Sequence, residues 1–498
     1  MVTRHFSRRQ LVGSSVGASL AVSAAAVGGG HSVSAQNMMN WDVSQSVRPT
    51  LTPVAQMTAA PDDEVHLAIA PSVPPPIARA DQRTWSVHLE AIEGISPLDP
   101  ENTINTLMWG FREAGREEIL SGSPGPVLRG RVGDFATITL SNLKSSMHPH
   151  NIDFHAVTGQ GGGATALTVN PGDTKSVMIR LMYPGVYMYH CAAEDVPVHI
   201  AHGMYGMFIV DPETPLPAVD HEWSISQSEW YLSAVGPADE GVARFNRDLL
   251  LSETPSHFTF NGRTDAIKGD NALKMNVGER ARIYFVNQGL NHLSSFHPIG
   301  SHWDLVYPEG ALHPANRVIR GSQSTLVVAG GGTVTEVDAL VPSTVVLVDH
   351  ALSRVFYKGL IGHIKIEGEE NPEIFAVPEG QDELPDSMHG GAAATPVAVD
   401  VEVAITPNAY LPENKDHAFD PPLVQLTVGQ TIRWTNHDAI AHTVTSGVSD
   451  GLAGDPDGKF DSGYIDAGGT FEMTFTEAGG YPYFCMPHPW MRGSILVK

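Results

Sequence analysis

Along most of the chain, apolar and polar positions alternate in short runs broken by glycine, which is the period of a half-buried strand and not of a helix. Three of these runs resemble one another: "VGDFATITLSN" (132–142), "VGERARIYFVN" (277–287) and "VGQTIRWTN" (428–436) each open on a Val-Gly turn and close on Asn. Each is followed by a second matched run: "YPGVYMYHC" (183–191), "VPSTVVLVDHA" (341–351) and "GGYPYFC" (479–485). Such strands, set three times in the same order, predict an all-β chain of three Greek-key β-sandwich domains. The expected sandwiches cover 80–215, 216–370 and 396–498. An extended arm over 36–79 contains "PSVPPP", and the polar, Gly-rich stretch 371–395 reads as a linker.

Composition agrees with short strands and many turns: 49 Gly and 36 Pro among 498 residues, and only 17% charged side chains. Acidic residues outnumber basic ones 55 to 30, a net charge of −25 that argues against a nucleic-acid partner. The first 35 residues carry Arg4, Arg8 and Arg9 and no acid. Ser7-Arg8-Arg9-Gln10-Leu11 is a twin-arginine pattern ahead of a weakly apolar run over 11–27 and a small-residue site at 33–35. This predicts a cleaved signal peptide over 1–35, export by the twin-arginine route, and a periplasmic or extracellular mature chain. No later segment offers 18 uninterrupted apolar residues, so no membrane span is expected.

Candidate chemistry gathers around the only two cysteines, Cys191 and Cys485. In the run ending at 191, alternation sends Tyr187, Tyr189 and Cys191 to the sandwich interior and Val186, Met188 and His190 to the other face. His199 and Met204 follow in the next loop. A thiolate, two imidazoles and a long axial thioether form the trigonal blue-copper set, which serves electron transfer. The distant imidazole is expected from "HPHNIDFH" (148–155); spacing favours His150 and His199, with His148 and His202 as competitors. The third sandwich repeats the set in "CMPHPWM", with Cys485, His488 and Met491, and His442 supplies its distant imidazole. Both cysteines are thereby used as thiolates, and no disulfide is expected. The second sandwich has Ala351 in the cysteine place and His350 in the place of His190, whereas Phe484 precedes Cys485 in the third. His155, His190 and His350 therefore remain as outward histidines, and three imidazoles with an open fourth position suit a catalytic copper.

On these residues the chain resembles the copper-containing nitrite reductases over 80–370, through "HPHNIDFHAVTGQGGG", "YHCAAEDVPVHIAHGMYG", "SSFHPIGSHWD" and "TVVLVDHALSR". The third sandwich is similar to a plastocyanin- or amicyanin-type carrier joined to that enzyme. The resemblance implies cupredoxin folds throughout and a type 1 copper at His150, Cys191, His199 and Met204. It also implies a type 2 copper at His155, His190 and His350, shared between subunits of a homotrimer. The substrate implied is nitrite, reduced to nitric oxide with Asp153 and His297 as the catalytic pair and Ile299 shaping the pocket; His302 and Thr333 match supporting positions more loosely. The C-terminal blue site would act as a tethered donor module fed by an external small copper protein or cytochrome c.

Two rival readings account for less. A multicopper oxidase needs paired His-x-His motifs, including one around the blue cysteine, but Ala192 follows Cys191 and "HPH" (148–150) stands alone. A pure electron carrier leaves the outward histidines without a role.

Overall fold

The computed structural model describes residues 48–100, 104–117, 123–233, 241–356, 358–378 and 399–498. The expected signal peptide, the start of the arm and residues 379–395 of the linker lie outside the described residues. The described residues form three β-sandwiches, each of two sheets. In the first, one sheet is built on Ile104–Glu113, Arg83–Asp99, Phe135–Asn142 and Thr174–Arg180, and the other on Val127–Arg131, Tyr205–Asp211, Gly185–His190 and Asp153–Phe154. Pairs distant in sequence run parallel, such as Arg83–Asp99 with Phe135–Asn142 and Val127–Arg131 with Tyr205–Asp211. The same two parallel pairings recur in the second and third sandwiches, which is the mark of Greek-key crossovers between sheets.

The sequence repeats become structural equivalents. The Val-Gly runs form Phe135–Asn142, Arg280–Asn287 and Thr431–Asn436, and the second runs form Gly185–His190, Ser343–Asp349 and Gly479–Phe484. Each sandwich encloses its own apolar core, centred on Trp85, Phe111 and Phe154 in the first, Phe285, Phe296 and Trp303 in the second, and Ile432, Trp434 and Tyr483 in the third. Two segments cross the expected boundaries. The arm pairs with both sheets of the first sandwich, Thr58–Ala59 with the start of Arg83–Asp99 and Leu67–Ala68 with the edge strand Val127–Arg131. Val242–Ala243, within the range read as the second sandwich, pairs with Ile104–Glu113 of the first.

The first two sandwiches are held together by a shared apolar layer and a buried ion network. Val186, Met188, Met207 and Ile209 of the first pack with Tyr284, Val286, Tyr307 and Val334 of the second. Beside this layer Arg129, 1% exposed, donates to both Asp211 oxygens at 2.8 and 2.9 Å, to Glu222 Oε2 at 2.6 Å and to the Pro74 carbonyl of the arm at 2.7 Å. Arg282 closes the network onto Glu222 and Glu336. Breaking such a network from one side costs about 3–5 kcal/mol, because a buried charge is left uncompensated. It therefore fixes the relation of the faces that carry the outward histidines.

Candidate metal centres

The strand Gly185–His190 sorts its side chains as its alternation requires. Tyr189 and Cys191 join the core of the first sandwich, whereas Val186 and Met188 join the layer shared with the second. His190 shares their side and is buried too, at 8% exposed.

On the core side, His150, Cys191 and His199 converge. His150 Nδ1 lies 3.8 Å from Cys191 Sγ and 3.3 Å from His199 Nδ1. A metal bonded at about 2.0–2.3 Å to each of these atoms imposes separations of about 3.3–3.8 Å, so the donor set fits one ion. Met204 is fully buried, and Cys191 N donates to its carbonyl at 3.0 Å. His199 is carried by the short helix Val196–Ala201, inside the stretch linking Cys191 to Met204. Burial first, and then the neighbouring His150, pull its pKa down to about 4, so the imidazole is neutral and ready to ligate near pH 7. Burial pushes the Cys191 thiol up to about 11, leaving a metal to favour the thiolate.

His148 and His202 stand outside this group. They sandwich the Trp109 indole, with ring centroids 4.4 and 4.1 Å away, and the same indole meets His199 edge-on at 4.8 Å. Opposite Trp109 in the ladder sits Glu93, which accepts from His150 Nε2 at 2.9 Å and from the backbone N–H of Met147 and His148. Burial alone raises the Glu93 pKa, but these donors outweigh it and hold the carboxyl at about 2. Glu93 and Trp109 are beyond the reach of motif spacing because each lies about 40 or more residues from the nearest ligand (57 from Glu93 to His150) and joins it only through strand pairing.

The third sandwich holds a matching triad. Cys485 Sγ lies 3.6 Å from His442 Nδ1 and 3.4 Å from His488 Nδ1, and the two nitrogens are 3.2 Å apart. Met491 is fully buried, and Cys485 N donates to its carbonyl. His442 Nε2 donates to Asp438 Oδ2 at 2.8 Å. Burial lowers the His442 pKa, but Asp438 and the Cys485 sulfur more than offset it and hold the imidazole at about 9. His488 is pulled down to about 4 by burial and then by His442. Asp438 is legible in principle, standing four residues before His442 within "NHDAIAHTV". Both cysteines are free thiols.

The outward residues fall into two groups. Asp153, His155 and His190 bring their ligand atoms within 4.8 Å of one another. Asp153 faces His190 across the ladder, and the His155 and His190 rings meet edge-on at 5.2 Å. His190 Nδ1–H donates to the Cys191 carbonyl at 2.9 Å, which leaves Nε2 free to ligate. Desolvation by the surrounding protein first and His190 second lower the His155 pKa, although part of the ring stays open to solvent. Gly162, at φ +55°, lies so close that a Cβ there would meet Asp153 Oδ1 at 1.9 Å. The second group is on the other sandwich: the rings of His297 and His350 lie 5.3 Å apart, and Ile299 follows His297 by two residues along the strand Ser294–Ile299. His297 Nδ1–H donates to the Gln323 carbonyl. His350 is exposed and belongs to no three-ligand group among the described residues. Thr333 is buried and donates to the Tyr307 carbonyl, while His302 is exposed.

Three sandwiches with two buried Cys-His-His triads define a copper protein of the cupredoxin class. The pattern of copper-binding proteins of the plastocyanin/azurin family matches residues 409–498, and that of the multicopper oxidases matches 98–214. The copper-containing nitrite reductase of Neisseria meningitidis (serogroup A) is 40% identical over 329 residues, covering 66% of this chain and 80% of the relative. That of Cereibacter sphaeroides is 31% identical over 354 residues, covering 65% and 89%. The solved copper nitrite reductase of Nitrosomonas europaea is 34% identical and covers 58% of this chain and 96% of its own, with a TM-score of 0.49. The chain belongs to the copper-containing nitrite reductase family, and is a copper-dependent oxidoreductase that reduces nitrite. Among the described residues no helix is long and apolar enough to cross a membrane.

Proposed function

We propose that His150, Cys191, His199 and Met204 hold a type 1 copper, and that His155 and His190 hold a type 2 copper together with His350 of a neighbouring copy in a homotrimer. The observation that carries this reading is the division of the outward residues into two half-sites. Asp153, His155 and His190 lie together on one sandwich, while His297 and His350 lie together on the next. His155 and His350 are exposed in the single chain, as a site completed by a second copy requires.

Copper at these two sets supplies single electrons at the thiolate and an electrophilic position for nitrite oxygens at the imidazoles. The rest is the work of the chain. His190 and Cys191 are consecutive, so one peptide unit joins the two sets. Nitrite takes one electron and two protons to give nitric oxide and water. Asp153 holds one proton against a nitrite oxygen, and His297, its Nδ1–H anchored on the Gln323 carbonyl, passes the second from Nε2. Ile299 lines the apolar side.

The C-terminal triad His442, Cys485 and His488, completed by Met491, holds a second type 1 copper. Its tether keeps that sandwich at high local concentration as an electron donor. It is refilled outside the cytoplasm by a small copper protein or a cytochrome c, after export by the twin-arginine route.

Mixed trimers test the shared site. Copper-loaded His155→Ala and His350→Ala chains are each expected to lose nitric oxide production, followed anaerobically by electrode. Co-assembled in equal amounts, they should recover about a quarter of the parent rate, since random closure restores one site in four. Full activity in either variant alone, or no recovery on mixing, overturns the shared site.

A further inference from the structure

Each triad backs one imidazole with a buried carboxylate. Glu93, its side chain 6% exposed, accepts from His150 Nε2 at 2.9 Å; Asp438, 1% exposed, accepts from His442 Nε2 at 2.8 Å. Both carboxylates are held rigidly by backbone donors: Met147 and His148 for Glu93, and Asn408, Tyr410 and Ala439 for Asp438. The remaining imidazole of the first triad is backed differently, by the Glu194 carbonyl at 3.3 Å from His199 Nε2.

The two carboxylates do not occupy equivalent positions. In the first sandwich Ala91 pairs with Asn142, and in the third Ile405 pairs with Asn436, which brings the two frameworks into register. In that register Glu93 corresponds to Pro407, and Asp438 corresponds to Lys144. One contact is thus constructed from two unrelated places, on the same imidazole of the triad, the one that comes from the loop after the Val-Gly strand. A repeat merely inherited by both sandwiches would keep the carboxylate in one position.

Resting on the reading of both triads as copper sites, we propose that Glu93 and Asp438 are positioning residues that set the two thiolate centres to matched electron affinity. A carboxylate accepting the distal N–H makes the imidazole a stronger donor, and its charge lies one ring away from the ion. Both effects favour Cu²⁺ over Cu⁺, and applied to both sites they lower both potentials together. Neither sandwich then traps the electron, so the tethered domain works as a reversible store.

The test reads potentials, not turnover. Spectroelectrochemical titration of the thiolate-to-copper absorption isolates the first centre in a Cys485→Ser background and the third in a Cys191→Ser background. Copper content and that absorption are read first, and their absence in the parent chain overturns the copper assignment itself. With both centres present, Glu93→Gln should shift the first toward Cu⁺ by about 10–100-fold, at 59 mV per tenfold. Asp438→Asn should shift the third equally and leave the first unmoved. Glu93→Asp, which keeps the charge, should move the potential less than Glu93→Gln. Parent potentials more than about tenfold apart, or blue centres whose potentials ignore both neutral substitutions, overturn the proposal; if one neutral variant does not fold, the other decides it.

Discussion

In the first sandwich an imidazole facing the other way directly precedes the triad's cysteine; in the third the equivalent strand ends on Tyr483-Phe484 just before Cys485, and a buried phenyl ring takes the place of His190. Seven residues and a helical turn separate Cys191 from His199, whereas two residues separate Cys485 from His488. The sulfurs differ too. Cys191 Sγ receives the backbone N–H of Asn151 and Ala193, while Thr443 N donates to Cys485 Sγ at 3.3 Å and Pro487, two residues after the cysteine as Ala193 is, has no N–H to offer. Similar ligand geometry thus stands beside a second cluster of ligand-type side chains in one sandwich and alone in the other. The decisive difference is what the opposite face of one strand carries.

The bluntest way to break this comparison is to remove each thiolate in turn. Cys191→Ser should lower nitrite reduction by more than about 100-fold, beyond the loss typical of an outer-shell change. Cys485→Ser, assayed with an excess of artificial reductant, should lower it by less than about tenfold, because the first centre can still be filled directly. Equal losses in the two variants would remove the distinction between coupled and isolated centres.

A subtler change strikes only the face that the third sandwich lacks. Gly162→Ala introduces a Cβ at 1.9 Å from Asp153 Oδ1 and 2.9 Å from Phe154 N, at a φ that disfavours alanine. Displacing the carboxylate by about 1 Å should cost up to about 100-fold in kcat. The blue absorption of the first centre should persist. Loss of that absorption together with activity would show general disruption.

The smallest expected effect is Pro487→Ala. Adding an N–H beside Cys485 weakens sulfur donation and should shift only the third centre toward Cu⁺, by about tenfold or less. A potential that falls instead would show that the thiolate does not accept the new donor.

Much of the molecule is legible in its residues alone. The cysteine, following histidine and methionine of each candidate set stand at short spacings, and the Val-Gly runs mark which strands are equivalent. Asp438 lies in plain view near His442. Glu93 does not: within "LEAIEGI" it is one charge on an alternating strand, indistinguishable from a solvated position until Ile104–Glu113 pairs beside it and brings Trp109 opposite. Val242–Ala243 falls to the second sandwich by its place in the chain, but its backbone groups are satisfied at the edge of the first.

What the sequence determined by itself is local. Consecutive residues of a strand point to opposite faces, so His190 and Cys191 had to face different surroundings once the strand was recognised. What lies beyond each face was decided only by tertiary structure. The second sandwich covers Val186 and Met188, the crossovers deliver Glu93 to His150, and His350 is set beside His297 and apart from His155. The reason is physical: side-chain direction follows from covalent geometry over two residues, whereas a neighbour across a sheet or between sandwiches depends on contacts closed over tens to hundreds of residues.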